Sequence, residues 1–166
     1  MTGVATSSST ASLVSPAPGL AHQEVVYTLH GVLRAACPQD LRVIGAPFAV
    51  RPDAFTELQP DILVARNADL TLKDLPAAPL LAVEVISPSS RLIDASLKKA
   101  AYARLGVPSF WLVDPDGEQP QLTAFEIDSA GDYRQSGLAW GQLAYQARRP
   151  FAVRVVPADL VAGLRP

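Results

Sequence analysis

The feature that most constrains the fold of this chain is an aliphatic run that contains a single carboxylate. From Leu80 to Ile86 the sequence reads LLAVEVI, and Glu84 is the only residue in the run that is not aliphatic. A short apolar run that ends before Ser-Pro is typical of a strand buried on both faces, which requires a sheet covered on both sides. Burial of an unpaired carboxylate costs several kcal/mol. Glu84 must therefore meet a metal or a cation, stay protonated, or reach the surface at the end of the strand.

The rest of the pattern predicts a mixed α/β fold around that strand. Apolar residues spaced three and four apart predict a helix over Leu20–Ala36, and a second helical pattern runs from Arg91 to Leu105, closed by Gly106. Strands are predicted at residues 41–50, 61–65, 80–86, 109–114, 121–127 and 151–156, whereas residues 129–149 have no clear pattern. This order predicts one domain, residues 20–166, with a central sheet flanked by helices. Residues 1–19 are rich in Ser, Thr, Ala and Pro and predict a disordered arm.

Composition excludes several classes of protein. The 166 residues are 49% hydrophobic, enough for one sizeable core, and the net charge of -2 means that nucleic-acid binding would need a local basic patch. The single cysteine, Cys37, excludes an internal disulfide and a multi-cysteine zinc site, and we predict that it packs in the core. The first residues lack the basic leader and apolar core of a signal peptide, and no run approaches the roughly 20 apolar residues of a membrane helix. We expect a cytoplasmic protein without a membrane partner.

A second carboxylate lies at another predicted strand boundary. Asp61 follows Pro60 and begins the apolar run DILVA. Magnesium takes one or two carboxylates and leaves its other positions to water and substrate phosphate, so Asp61 and Glu84 together suit this ion. A bound metal polarises a phosphoryl group and activates water, and a nearby ammonium stabilises the negative charge that develops. The pair therefore favours phosphodiester hydrolysis.

Three segments, QPDILVA, PLLAVEVISPSS and DASLKKAAYARLGVPSFWLVDP, together resemble the Uma-type restriction endonucleases, a bacterial branch of the PD-(D/E)XK nuclease superfamily. The resemblance covers most of the chain from His22 onward and is most specific from Pro79 to Pro115. It implies a restriction endonuclease-like fold and an endonuclease that uses Mg²⁺, or Mn²⁺ in its place, to hydrolyse nucleic-acid phosphodiester bonds, with DNA as the partner. The resemblance is also compatible with a homodimer. By similarity, Asp61 and Glu84 hold the metal.

The position of the superfamily's lysine differs in this chain. It usually comes two residues after the glutamate, where this chain has Ile86. The resemblance implies that the catalytic lysine lies on the following helix, in the pattern Asp94, Lys98, Tyr102. Residues four apart share one helix face, so Asp94 and Tyr102 are predicted to support Lys98. The next residue, Lys99, leaves the helix about 100° away.

Arg91 and Lys99 are the candidate contacts to nucleic acid, because both lie near the proposed site in sequence and could meet phosphates. A solvated helix face explains these two cations equally well. The second Pro-Asp pair of the chain ends in Asp53, which lies in a polar connection and is interpreted as a turn residue rather than a ligand. His22 and His30 are eight residues apart, too far to share an ion simply, and are predicted to be partly exposed residues of the first helix. Neither histidine is assigned to a metal.

Simpler interpretations of the same residues remain open. Without the resemblance, a solvent-facing Glu84 is as well supported as a metal ligand, and Asp61 is more typical of a turn or a cap. Asp94 and Lys98 alone indicate a surface ion pair, and Tyr102 a residue at the edge of the core.

An alternative function is a catalytically inactive nuclease-like binding or interaction module. It is favoured by the mild net acidity and by the low-complexity arm, which lies where this family often has an acidic strand segment. Ser109 and Leu97 also stand where acidic residues are frequent in the family, so fewer charges surround the proposed site.

Overall fold

A six-stranded mixed sheet forms the centre of the molecule. The computed structural model describes residues 19–86, 93–115 and 119–164, so the predicted arm lies outside the described residues except for Gly19. In chain order and in spatial order the strands are β1 (Leu41–Gly45), β2 (Ile62–Arg66), β3 (Leu81–Val85), β4 (Ser109–Asp114), β5 (Gln121–Ile127) and β6 (Tyr133–Trp140). Neighbouring strands are antiparallel, except that β3 and β4 run parallel.

Helices cover the sheet, as the sequence predicts. These are α1 (Leu20–Ala36), α2 (Ile93–Arg104) and the short α3 (Pro157–Leu160), and a separate antiparallel pair consists of β7 (Tyr145–Ala147) and β8 (Val153–Val155). Parallel strands need a crossover connection, and α2 lies within the connection between β3 and β4. This topology returns the chain across the face of the sheet that carries Glu84.

Helix α1 packs on one face of the sheet through a stripe of buried side chains. Val25, Leu29 and Leu33 repeat at a spacing of four and are fully buried. They join Val83 and Val85 of β3 in the largest hydrophobic cluster of the molecule. Successive side chains of a strand point to opposite faces, so Ala82 and Glu84 face away from α1.

The opposite face carries α2 and a group of aromatic rings. Ala82 packs with Tyr102, Val107 and Phe110, and the ring centroids of Tyr102 and Phe110 are 5.5 Å apart. Gly106 has a φ of +74°, which confirms the predicted left-handed end of this helix. The turn directs the chain into Val107 and then into β4.

Several predicted elements have the observed bounds, and three predicted strands are too long. The strand predicted at 80–86 is β3 (Leu81–Val85), and the one predicted at 151–156 is β8 (Val153–Val155). The helix over Leu20–Ala36 and the strands over 109–114 and 121–127 are confirmed. The predicted strand 41–50 is wrong beyond Gly45, because Pro47 has no N–H with which to continue the ladder. The unassigned segment 129–149 contains β6 and β7. Within the described ranges, no helix is both long and apolar enough to cross a membrane.

Cys37, which was predicted to pack in the core, is only half buried. Its side chain packs against the cluster beneath α1 at the point where the helix ends.

Candidate active site

Glu84 is buried and has a partner on each carboxylate oxygen. Its side chain is 5% exposed, so the interpretation of a solvent-facing strand edge is wrong. Lys98 Nζ donates to Oε2 at 2.9 Å, and the Tyr102 hydroxyl donates to Oε1 at 2.7 Å. Both donors come from α2, one helical turn apart, because residues four apart lie on the same side of a helix. Glu84 thus joins β3 to the helix that covers it.

The protonation of Glu84 is finely balanced. Burial raises the pKa of Glu84 to about 7, the positive charge of Lys98 opposes this rise, and the negative charge of Asp61 adds to it. Burial and the adjacent Glu84 carboxylate also raise the pKa of Tyr102 far above its ordinary value. Tyr102 therefore remains a neutral hydrogen-bond donor at any physiological pH.

Asp61 lies beside Glu84 at the end of the β2–β3 pair. Ile62 is opposite Val83, so one further step in this antiparallel register brings Asp61 opposite Glu84. The backbone N–H of Val85 donates to Asp61 Oδ2 at 2.8 Å. Asp61 is therefore not a local turn or cap residue, because its carboxylate binds the backbone of a different strand.

His22 is the residue of the site that the sequence interpretation missed. Its Nε2 lies 3.3 Å from Asp61 Oδ2, and its side chain is 10% exposed, so the prediction of a partly exposed residue is wrong. Among the described residues its other ring nitrogen, Nδ1, has no hydrogen-bond partner. The spacing of three between His22 and Val25 extends the apolar stripe of α1, and this pattern indicates burial. His30 is half buried, as predicted.

The two neighbouring lysines of α2 have different surroundings. Lys98 contacts Glu84, and its side chain remains 37% exposed, so Lys98 lies between the buried carboxylate and solvent. Lys99 Nζ lies 3.5 Å from the centroid of the Phe125 ring, and burial lowers the pKa of Lys99. This cation–π contact holds Lys99 over β5, away from Glu84.

Some of the predicted site residues cannot be placed. Arg91 and the side chain of Asp94 lie outside the described residues, so their proposed roles stay predictions. The contact of Lys99 with nucleic acid also stays a prediction.

Asp53, the aspartate of the other Pro-Asp pair, has a different role from Asp61. Its Oδ1 accepts hydrogen bonds from the backbone N–H groups of Phe55 and Thr56, both at 2.8 Å. These contacts lower the pKa of Asp53 and confirm that it is a turn residue.

The fold therefore brings together four of the predicted site residues, Asp61, Glu84, Lys98 and Tyr102, and leaves Asp53 in its own loop.

Comparison with known proteins relates this arrangement to a family. The family model Uma2, described as "Putative restriction endonuclease", matches residues 10–148. Among solved structures, the chain is similar to the crystal structure of "a putative nuclease belonging to DUF820" from Anabaena variabilis ATCC 29413. The TM-score is 0.68 at 17% identity, over 87% of this chain and 82% of that chain, which shows a shared fold. No curated protein matches the chain. Because the family model spans most of the sequence, the resemblance is confirmed and the chain belongs to the Uma2 family.

Proposed function

We propose that the chain is a Mg²⁺- or Mn²⁺-dependent endonuclease that hydrolyses phosphodiester bonds, with DNA as its substrate. The observation that carries this proposal is the buried Glu84 carboxylate, which lies opposite Asp61 and receives a hydrogen bond from Lys98. Membership of the Uma2 family supports nuclease chemistry at this site.

The donor atoms fit a hard divalent cation. Within the described ranges, no group of three or more His, Cys, Asp or Glu side chains converges to hold a metal ion. Magnesium does not need such a group, because it keeps several waters and takes one or two carboxylates. Burial and the Asp61 charge destabilise the ionised form of Glu84, and a cation held by both carboxylates would offset both effects. Asp61 and Glu84 are the residues that would hold it.

The protein side chains then have separate tasks. When bound, the metal ion supplies Lewis-acid chemistry at the phosphoryl oxygens and activates water. Lys98, which is partly exposed, orients the attacking water and offsets the negative charge that develops on the phosphate. Tyr102 holds Glu84 through its hydroxyl, and the Val85 amide holds Asp61.

His22 acts as a positioning residue in this proposal. The Val85 amide and His22 Nε2 both contact Oδ2 of Asp61, so this oxygen is fixed from two sides. Neither contact involves Oδ1, the other oxygen of this carboxylate. Fixing one oxygen of a carboxylate orients the other, and such support is typical around metal ligands.

One observation favours the alternative of an inactive nuclease-like binding module. Lys98 and Tyr102 already occupy both oxygens of Glu84, which reduces the number of lone pairs left for a metal ion. Each carboxylate oxygen has two lone pairs, so coordination is compatible with these contacts. An activity assay separates the two functions.

The test is cleavage of DNA by the purified wild type and by Glu84→Ala, each with Mg²⁺, with Mn²⁺ and with EDTA. We expect the wild type to cleave only with a divalent cation and Glu84→Ala to be inactive. Glu57→Ala is the matched control, because Glu57 is an exposed carboxylate paired with Arg51. Cleavage by Glu84→Ala at the wild-type rate contradicts the proposal, and a folded wild type that does not cleave supports the inactive module.

A further inference from the structure

We propose that a cavity beside Asp61 takes one unpaired nucleobase of the substrate strand, next to the phosphate that is cleaved. The identity of this ligand rests on the proposed function. The cavity itself is a separate feature of the fold, on the side of Asp61 where α1 lies, whereas Lys98 reaches Glu84 from α2 on the other face of the sheet.

The cavity connects directly with the candidate active site. It has a volume of about 300 Å³, and its lining includes His22, Gln23, Tyr27, His30, Gly45 and Asp61. Asp61 belongs both to this wall and to the carboxylate pair. A strand whose phosphate lies at Asp61 and Glu84 therefore has its adjoining nucleoside within reach of the cavity.

Residue 45 in the wall of the cavity is a glycine, so no side chain enters the cavity from this position. Val43 is buried under α1, and Gly45, two residues further along β1, points to the same face. A Cβ atom on Gly45 would lie 3.8 Å from Cδ2 of His30 and 3.9 Å from the backbone oxygen of Asp61. These are ordinary contact distances, and the φ of Gly45 is not positive, so alanine fits here without strain. A longer side chain at this position would enter the cavity.

The chemistry of the lining favours a neutral planar ligand over a phosphate. The eight lining residues include no lysine or arginine, and Asp61 contributes a negative charge. Tyr27 is 72% exposed and offers a ring for stacking, while Gln23 and His30 offer hydrogen-bonding groups. Nucleobases combine a flat face with donors and acceptors on one edge, and stacking on aromatic side chains tolerates any sequence.

The size of the cavity limits what can enter. A volume of about 300 Å³ is at the lower end of ligand pockets and suits a single base rather than a base pair. A base inside a duplex is stacked and paired, so it must come from a single strand or be turned out of the helix. We therefore infer that the protein binds single-stranded DNA more tightly than the same sequence as a duplex.

The experiment measures binding without cleavage. Fluorescence anisotropy of a short fluorescein-labelled DNA strand, alone or annealed to its complement, is recorded in EDTA with the wild type and three variants. Gly45→Leu fills the cavity and Tyr27→Ala removes the stacking ring, so both should weaken single-strand binding by about tenfold. Phe55→Ala is the control and should bind like the wild type. Phe55 is an exposed ring that does not line the cavity.

Several results would overturn the inference. These are no binding of the single strand by the wild type, tighter binding of the duplex, wild-type affinity in Tyr27→Ala, or an equal loss in Phe55→Ala. Circular dichroism checks the fold of Gly45→Leu, and Tyr27→Ala keeps the test decisive if that variant does not fold, because Tyr27 is a surface residue.

Failure of the cavity assignment can be distinguished from failure of the proposed endonuclease function. Cleavage that depends on Glu84 but is accompanied by unchanged binding in the cavity variants overturns only the cavity assignment. Binding that depends on Tyr27 and Gly45 without any cleavage in Mg²⁺ or Mn²⁺ overturns only the endonuclease.

Discussion

The two faces of the central sheet differ in what they bury. Strand β3 supplies Val83 and Val85 to the face under α1, where they pack among aliphatic and aromatic side chains. The same strand supplies Ala82 and Glu84 to the face under α2, where Glu84 meets a lysine and a tyrosine. Alternation along a single strand thus places apolar packing on one face and a polar cluster on the other.

Under the proposed function, this difference places stabilising apolar packing on one face and the candidate active site on the other. The α1 face gains free energy from apolar burial, about 25 cal/mol for each Å² removed from water. The α2 face carries a buried carboxylate whose desolvation disfavours its charged form, and Lys98 and Tyr102 offset that effect in part. Substitutions on the two faces should therefore change different measurable properties.

The largest effect is expected for Lys98→Ala on the α2 face. Loss of a preorganised group that stabilises transition-state charge typically lowers kcat by about 10²–10³-fold, and we expect this loss for DNA cleavage. Lys99→Ala should lose much less, because Lys99 lies over Phe125 rather than at Glu84. Steady-state cleavage rates, with metal binding measured by calorimetry, check both variants. Equal losses in the two variants would contradict the role of Lys98.

Leu29→Ala tests the other face. Leu29 is fully buried under α1, and truncation of such a leucine costs about 2–5 kcal/mol of the free energy of unfolding. Leu72→Ala is the control, because Leu72 is fully exposed and should change stability by less than about 0.5 kcal/mol. Urea unfolding measures both. A folded Leu29→Ala variant with the wild-type free energy of unfolding would show that packing under α1 does not stabilise the protein.

Glu84→Gln should remove the contribution of Glu84 to the pH dependence of stability. The pKa of Glu84 is raised from 4.5 to about 7, so the folded state binds a proton more tightly than the unfolded state. The resulting stabilisation is complete below pH 4.5 and is lost as the pH rises through 7, and its magnitude is up to about 3 kcal/mol.

The measurement is urea unfolding in EDTA between pH 5 and pH 8. Wild-type stability should fall relative to Glu84→Gln across this interval. Tyr102→Phe provides a second check, because loss of the hydroxyl donor should raise the pKa of Glu84 further. Parallel pH profiles for the wild type and Glu84→Gln would contradict a raised pKa at this residue.

Asp61→Asn should remove the response to divalent cations. A ligand at 100 times its Kd stabilises the folded state by about 2.7 kcal/mol, so Mg²⁺ or Mn²⁺ should raise the wild-type Tm. The variant loses one of the two carboxylates and should show no rise in Tm. Asp53→Asn, in the other Pro-Asp pair, should respond like the wild type. A full metal-induced shift in Asp61→Asn would place the ion elsewhere.

Local sequence patterns predicted the helices and strands in which buried residues recur at a regular spacing or in a continuous run. The α1 stripe, the continuous apolar run of β3 and the end of α2 at Gly106 each follow from sequence neighbours alone. Strand β6 was missed because it is largely exposed and pairs with β5 through an irregular register. Periodicity needs one consistently buried face, and β6 does not have one.

The site was harder to predict because its contacts join distant parts of the chain. The resemblance pointed to Asp61, Glu84 and Lys98, but no local pattern indicated that the Tyr102 hydroxyl binds Glu84 directly. The contact of His22 with Asp61 spans two elements, and the stacking of Lys99 on Phe125 joins α2 to β5. These contacts depend on how distant elements pack together, and sequence neighbours do not indicate that packing.

The position of the lysine on a helix has a consequence for heat inactivation. From Ser96 to Arg104, Tyr102 is the only buried side chain of α2, whereas most residues of β2 and β3 are buried. Segments with few buried contacts open at lower free energies than the core around them. We expect α2 to detach from the sheet on heating before the strands separate, which would carry Lys98 away from Glu84. Inactivation would then precede global melting and would be reversible on cooling.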